Sequence, residues 1–219
     1  MHSNLPHSCQ QCSLGIFCLN QGNTHLISKK RVLKNKEILH RPHDKFTHLY
    51  LIQKGVLKTC NTDSFGNENI HNFYFQNEVF GYEAIALQKY PFLTIAISDT
   101  LMCEIPYKNF LSLIESEPKL ISHFLYSVSH QLTFGEYLKS ITAQQKLVAF
   151  LLDIAGRLSC NHENGFLLPL TYQDIGNYLN LASETVSRLF SYLRKTQLIS
   201  IDKKYITLAD IPKLKKLIA

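Results

Sequence analysis

Between about Arg31 and Tyr107 the chain alternates short apolar runs with turn residues. His48 to Ile52 precedes Lys54-Gly55, Val56 to Cys60 precedes Asn61-Thr62-Asp63, and Phe73 to Phe75 and Leu93 to Ile97 follow. Short β-like runs spaced by turns predict an antiparallel barrel or sandwich over residues 31–115. The period then changes. Pro118 suits the first position of a helix, with Ser116 or Glu117 before it as cap. Ile121, Leu125, Val128 and Leu132 follow at spacings of four, three and four, a heptad-like stripe opposite Ser122, His123, Ser127 and His130. Such a stripe over 116–141 packs either on its own barrel or on a second copy of the chain.

A further helix opens at Thr142-Ala-Gln-Gln145, which has the form of a capping box, and Leu147, Leu151, Ile154 and Leu158 share one of its faces. Asn161 to Gly165 is a polar break. After it, Thr171 is placed to cap a short helix carrying Ile175 and Leu179 one turn apart. Asn180 tolerates the left-handed backbone of a tight interhelical turn, and Leu181 closes that turn. A second helix is expected from Ser183 to Lys195, with Val186, Leu189, Phe190 and Leu193 inward and Glu184, Ser187, Arg188 and Ser191 outward. Leu198 to Thr207, with Asp202-Lys203-Lys204 at its tip, reads as a β-hairpin wing. Helix, turn, helix and wing in that order predict a winged helix-turn-helix over 142–219, and its order of elements favours the dimer reading of the upstream stripe.

Charge agrees with this division. Residues 139–219 hold eleven Lys and Arg against six Asp and Glu, whereas residues 1–138 hold twelve against eleven. The excess therefore lies where phosphate contact is expected, although Lys213, Lys215 and Lys216 also fit a solvated basic tail. On the outward face, Arg188 has the donors to read guanine, Glu184 can accept from cytosine, and Ser187, Ser183 and Ser191 suit base or phosphate. Thr171 and Lys204 complete the expected DNA-binding set. The chain shows no Ser/His/Asp set, no phosphate-binding glycine loop and no convincing pair of acids, so no enzyme is expected. No stretch has the length of a membrane helix and the polar N-terminus does not read as a signal peptide, which predicts a cytoplasmic protein.

Cysteine usage adds a second chemistry. Of six cysteines, Cys9, Cys12 and Cys18 fall within ten residues on a loop-like arm over 1–30, which in a cytoplasmic protein reads as metal or redox chemistry. Four thiolates would suit an iron–sulfur cluster or tetrahedral zinc, and Cys9 with Cys12 alone would suit a metal-free thiol–disulfide pair. Cys60 and Cys160 have no partner pattern and are taken as structural.

The stretch from Asp174 through Ile175, Gly176, Asn177 and Tyr178 to Arg188 resembles the helix-turn-helix signature of the CRP/FNR regulators. Asn180 stands where the turn usually has Gly. Ala182 stands where Ser or Thr usually caps the recognition helix, at a cost of about 1 kcal/mol unless Ser183 takes over. The resemblance implies an α+β chain: a cysteine arm, a jelly-roll barrel like those that bind cyclic nucleotides, a dimerisation helix and a winged reader. It also implies double-stranded DNA, a second copy and RNA polymerase as partners. The loop from Gly81 to Thr94 contains no arginine to hold a cyclic phosphate, so no cyclic nucleotide is expected.

Cys9-x2-Cys12-x5-Cys18, and Cys103 within Leu101 to Pro106, are similar to the oxygen-sensing FNR-type branch. That likeness implies a [4Fe-4S] cluster on Cys9, Cys12, Cys18 and Cys103, with Ser13 and Phe17 flanking the ligands. It also implies TTGAT-like half-sites read by Glu184, Ser187 and Arg188, and a dimer equilibrium that shifts when oxygen attacks the cluster. The arm is shorter than usual in that branch. Gln131 stands where those proteins carry an aspartate that opposes dimerisation, so the switch is expected to be weaker or to work differently.

Overall fold

The computed structural model describes residues 27–116, 118–158 and 165–218. They form two compact units, one ending at Phe124 and the other running from Leu125 and including residues 62–70.

The first unit is built from eight strands, β1 (Lys29–Leu33), β2 (Ile38–His40), β3 (His48–Lys54), β4 (Leu57–Thr62), β5 (Glu68–Tyr74), β6 (Val79–Phe80), β7 (Leu93–Ala96) and β8 (Thr100–Pro106). They form two four-stranded sheets, ordered β1-β8-β3-β6 and β2-β7-β4-β5. Side chains from both sheets fill the space between them. Tyr50 on β3 stacks on Phe80 of β6 at 4.9 Å, Phe80 meets Tyr74 of β5 at 5.4 Å, and Tyr50 meets His40 of β2 at 5.2 Å. Each buried aromatic ring contributes roughly 2–3 kcal/mol from the apolar surface it removes from water. The Lys54-Gly55 turn needs its glycine: φ is +96°, and a Cβ would lie 2.5 Å from Thr100 Oγ1.

Alternation along β8 divides its chemistry between two faces. Glu104, 3% exposed, shares a face with Lys29 and Arg31 of β1 and accepts from them at 3.5 and 3.1 Å. Cys103, one residue before it, points to the other face and is fully buried. Cysteine 60 on β4 is likewise buried, consistent with a structural role.

A helix absent from the sequence reading, α1 (Tyr107–Ser116), follows the barrel, and α2 (Pro118–Lys139) starts at the expected proline. Phe124 of α2 packs edge-on against Tyr82 and Phe110, at 5.7 and 5.4 Å.

The second unit contains the rest of α2, then α3 (Ala143–Leu158), β9 (Gly165–Leu167), α4 (Tyr172–Leu179), α5 (Ser183–Lys195), β10 (Ile199–Asp202), β11 (Tyr205–Leu208) and α6 (Ile211–Lys216). Thr142 and Gln145 cap α3 reciprocally, with Gln145 N donating to Thr142 Oγ1 at 3.4 Å and Thr142 N to Gln145 Oε1 at 3.1 Å. The wing is the expected hairpin of β10 and β11, but a third strand, β9, pairs with β11. Gly165, read as the end of a polar break, opens that strand; Leu167↔Tyr205 and Phe166↔Ile206 are partners. Two positions escape the pattern because a three-residue strand is too short to show a period. Lys213, Lys215 and Lys216, read as belonging to a basic tail, lie on or at the end of α6, which Asp210 caps by accepting from Lys213 N at 2.9 Å.

The turn between α4 and α5 closes on one carbonyl. Gly176 O accepts from Asn180 N and, at 2.9 Å, from Leu181 N. Asn180 adopts φ 55°, ψ 54°, the left-handed conformation expected of it. A Cβ on Gly176 would come within 2.5 Å of the Leu181 carbonyl oxygen, which is backbone and cannot swing aside.

Two stability predictions follow from these contacts. Gly176→Val should destabilise the second unit by about 2 kcal/mol or more, read by urea denaturation, because the turn must open to admit the side chain. His40 stacks on Tyr90 at 3.5 Å, its Nε2 has no hydrogen-bond partner among the described residues, and burial lowers its pKa to about 4. The unfolded chain therefore takes up a proton near pH 6.5 that the folded site refuses until about 4, so stability falls as pH drops through this window. Lowering pH from 7 to 5 should cost about 2 kcal/mol at this site, and His40→Phe should remove that increment in paired denaturation curves.

Candidate nucleic-acid interface and cysteine site

The outward face of α5 is positioned by everything beneath it. Val186, Phe190 and Leu193 are buried, and Phe190 stacks on Tyr172 of α4 at 5.0 Å. Lys146 of α3 donates to Leu179 O at 3.2 Å, placing a cation on the last turn of α4, where the helix dipole favours it. Lys146 thus serves the fold, a role its charge alone did not reveal. Thr171 caps α4 in a full capping box: its hydroxyl accepts from Asp174 N at 3.0 Å and donates to Asp174 Oδ2 at 2.6 Å.

With that scaffold in place, Glu184 and Arg188 are exposed on the first two turns of α5, while Ser183, Ser187 and Ser191 are half-buried beside them. Arg188 Nε reaches back to Glu184 O at 3.4 Å, a long contact that leaves the guanidinium nitrogens available. Ala182 is the N-cap residue of α5 and makes no side-chain cap bond; Ser183 does not replace it. Lys204 is exposed on the wing, next to Lys203 at φ 56° in the two-residue turn. Exposed Tyr192 and Lys195, four and seven residues after Arg188, extend the face toward the C-terminal end of α5, and Arg194 is exposed to one side of it. Tyr192 and Lys195 were legible from their i+4 and i+7 spacing to Arg188, but were not in the sequence-derived set.

On α2, Leu125 and Leu132 are 58% and 69% exposed, Ile121 is exposed and Val128 half-buried, so the described residues leave this stripe largely uncovered. Gln131 beside it is half-buried.

The expected cysteine ligands divide between described and undescribed residues. Cys103 sits on β8 with Lys30 of β1 and Leu51 of β3 as its Cα partners. Cys9, Cys12 and Cys18, with Ser13 and Phe17, lie outside the described residues, as does Cys160. Among the described residues no three His, Cys, Asp or Glu side chains gather as a metal site. The Gly81 loop turns back on itself: Gly81 has φ 98°, and Glu83 accepts from Gly81 N at 3.1 Å and from the Tyr74 hydroxyl at 3.5 Å. Burial raises the Glu83 pKa. No helix among the described residues is long and apolar enough to cross a membrane.

Comparison with known proteins agrees with this architecture from both ends. Residues 30–117 match the model of the cyclic nucleotide-binding domain, and residues 145–217 match the Crp-like helix-turn-helix domain. The chain is 30% identical to the anaerobic regulatory protein of Aggregatibacter actinomycetemcomitans, covering 94% of this chain and 86% of that one. It is also 30% identical to the fumarate and nitrate reduction regulatory protein of Vibrio cholerae, over 95% of this chain and 89% of that one. Among solved structures, FixK2 from Bradyrhizobium japonicum superposes with a TM-score of 0.75 at 21% identity, covering 89% and 98% of the two chains. These relatives are regulators and not enzymes. With a matching reader, a matching barrel and near-full-length relatives, the chain belongs to the CRP/FNR family of DNA-binding transcription regulators.

Proposed function

We propose that the protein binds a palindromic site with TTGAT-like half-sites as a homodimer and responds to oxygen or redox state through its cysteines. The observation that carries the DNA reading is the exposed pair Glu184 and Arg188 on the first turns of α5, above a buried face. Arg188 would donate two hydrogen bonds to guanine and Glu184 accept from a cytosine amino group, with Ser187 beside them. Ser183, Ser191, Thr171 and Lys204 are assigned to flanking bases and phosphates. The cap-free first turn of α5 leaves backbone N–H groups turned toward the same region. The second copy would cover Ile121, Leu125, Val128 and Leu132, giving two readers about one helical turn of DNA apart. RNA polymerase is the further partner, and the cytoplasm, where the DNA is, the place of action.

The sensor reading rests on the path of the chain. Pairing of β1 with β8 brings the strand that follows the arm directly beside Cys103, with Lys30 as its Cα partner. Eleven residues lie between Cys18 and Lys30, and at about 3.4 Å per extended residue they give ample reach for Cys9, Cys12 and Cys18 to return to Cys103. The anaerobic naming of the relatives points the same way. Cys9, Cys12, Cys18 and Cys103 would hold a [4Fe-4S] cluster, which when bound supplies oxygen-labile iron–sulfur chemistry. The four thiolates would thereby tie the arm to β8, and loss of the tie would shift the dimer equilibrium. A cyclic nucleotide is not proposed as the signal: His40, Tyr50, Tyr74, Phe80 and Tyr90 occupy the space between the sheets, and Glu83 is bonded within its own loop.

Two measurements test these assignments. Arg188→Ala should weaken binding to a duplex with inverted TTGAT repeats by about 1–3 kcal/mol while sparing binding to random duplex. Equal loss on both would assign Arg188 to phosphate. Anaerobic purification should yield a coloured protein containing iron and acid-labile sulfide. A colourless protein without iron after reconstitution would reject the cluster, leaving zinc or a Cys9–Cys12 thiol pair to be separated by metal analysis and thiol counting.

A further inference from the structure

The helix α2 has two unlike sides. At about 100° per residue, Ile121, Leu125, Val128 and Leu132 cluster within one sector, and Tyr126, His130 and Phe134 fall on the opposite one. There the His130 ring lies between its neighbours one turn away, stacked on Tyr126 at 6.0 Å and 26° and on Phe134 at 5.9 Å and 8°. Its Nε2 meets Asp153 Oδ1 of α3 at 3.5 Å, and the Asp153 side chain is 5% exposed. Arg157, one turn along α3, donates to the other oxygen of Asp153 at 3.1 Å. One turn beyond Phe134, Tyr137 reaches from the same side of α2 and donates to Ile218 O at 2.9 Å.

The anchor of this arrangement is buried: the Asp153 side chain is 5% exposed, whereas His130 at 40% and Tyr126 at 71% lie nearer the surface. From Leu120 to Gly135, α2 carries no Asp, Glu, Lys or Arg, and His130 is the residue of that stretch placed against Asp153. The flanking rings restrict the imidazole before it meets the carboxylate, which lowers the entropy lost in holding the contact. The buried carboxylate, already held by Arg157, is a fixed anchor. The contact therefore joins the helix that bears the exposed stripe to the first helix of the reader.

We propose that His130 is a positioning residue for DNA recognition: set between Tyr126 and Phe134 with its Nε2 in polar contact with Asp153, it braces the reader against α2 and so sets the spacing between the two readers of a dimer. The inference rests on the reading of the α2 stripe as the contact between two copies. It makes no demand on the cysteines.

The test uses the full chain, kept anaerobic, and duplexes carrying inverted TTGAT repeats at a series of half-site separations. Wild type should bind best at one separation. His130→Ala should lose about fivefold at that separation, the worth of one modest polar contact, and should discriminate less sharply against its neighbours. Its affinity for random duplex and its dimerisation by sedimentation should be unchanged. His130→Gln, which keeps a donor able to reach Asp153, should restore the preference. Wild-type separation preference in His130→Ala, or failure of Gln to restore it, would overturn the inference alone. A wild-type protein that binds no repeat better than random duplex would overturn the DNA-site reading, and this inference with it.

Discussion

The reader depends on the close approach of two backbones at Gly176. Its carbonyl takes the N–H groups of Asn180 and Leu181, and the absence of a Cβ lets the Leu181 carbonyl come close to its α-carbon. That contact sets where α5 begins and therefore which side chains turn outward. Glu184 and Arg188 are exposed because Val186, Phe190 and Leu193 are not. The capping box at Thr171 and the Lys146 contact at the other end of α4 hold the same short helix at both termini, which eight residues would not maintain unaided.

A comparable economy operates on β8. Because neighbouring residues on a strand face opposite ways, one strand serves two purposes without interference. Glu104 turns to the face of Lys29 and Arg31, where a buried carboxylate requires cations to offset its desolvation. Cys103 turns to the other face, beside the strand that the arm leads into. The strand pairing thus links the electrostatics of the first unit to the residue on which the sensor proposal rests.

The long helix shows the same division at larger scale. Its apolar stripe and its aromatic–histidine side lie on opposite flanks, the first exposed and the second in contact with α3 at Asp153. A helix with unlike sides can carry a change from one flank to the other as a rigid element, which a loop of the same length cannot.

Much of this was legible in the residues. The strand runs from His48 to Ile97, Pro118 at a helix start, the Thr142 box, the left-handed Asn180 and the α5 boundaries all follow from local rules of period, capping and backbone preference. Those rules act over a few residues, so the sequence by itself determined the succession of barrel strands, long helix and reader, the reader motif and the family, but not α1, β9 or α6. Tertiary structure decided what local rules do not reach. It made β9 a strand by giving it β11 to pair with, placed Lys146 on the Leu179 carbonyl, and turned His130 toward Asp153. It also put Lys30 opposite Cys103, more than seventy residues away in sequence. Each of these depends on a partner distant along the chain, and spacing within a helix or strand carries no information about which distant partner folding will supply.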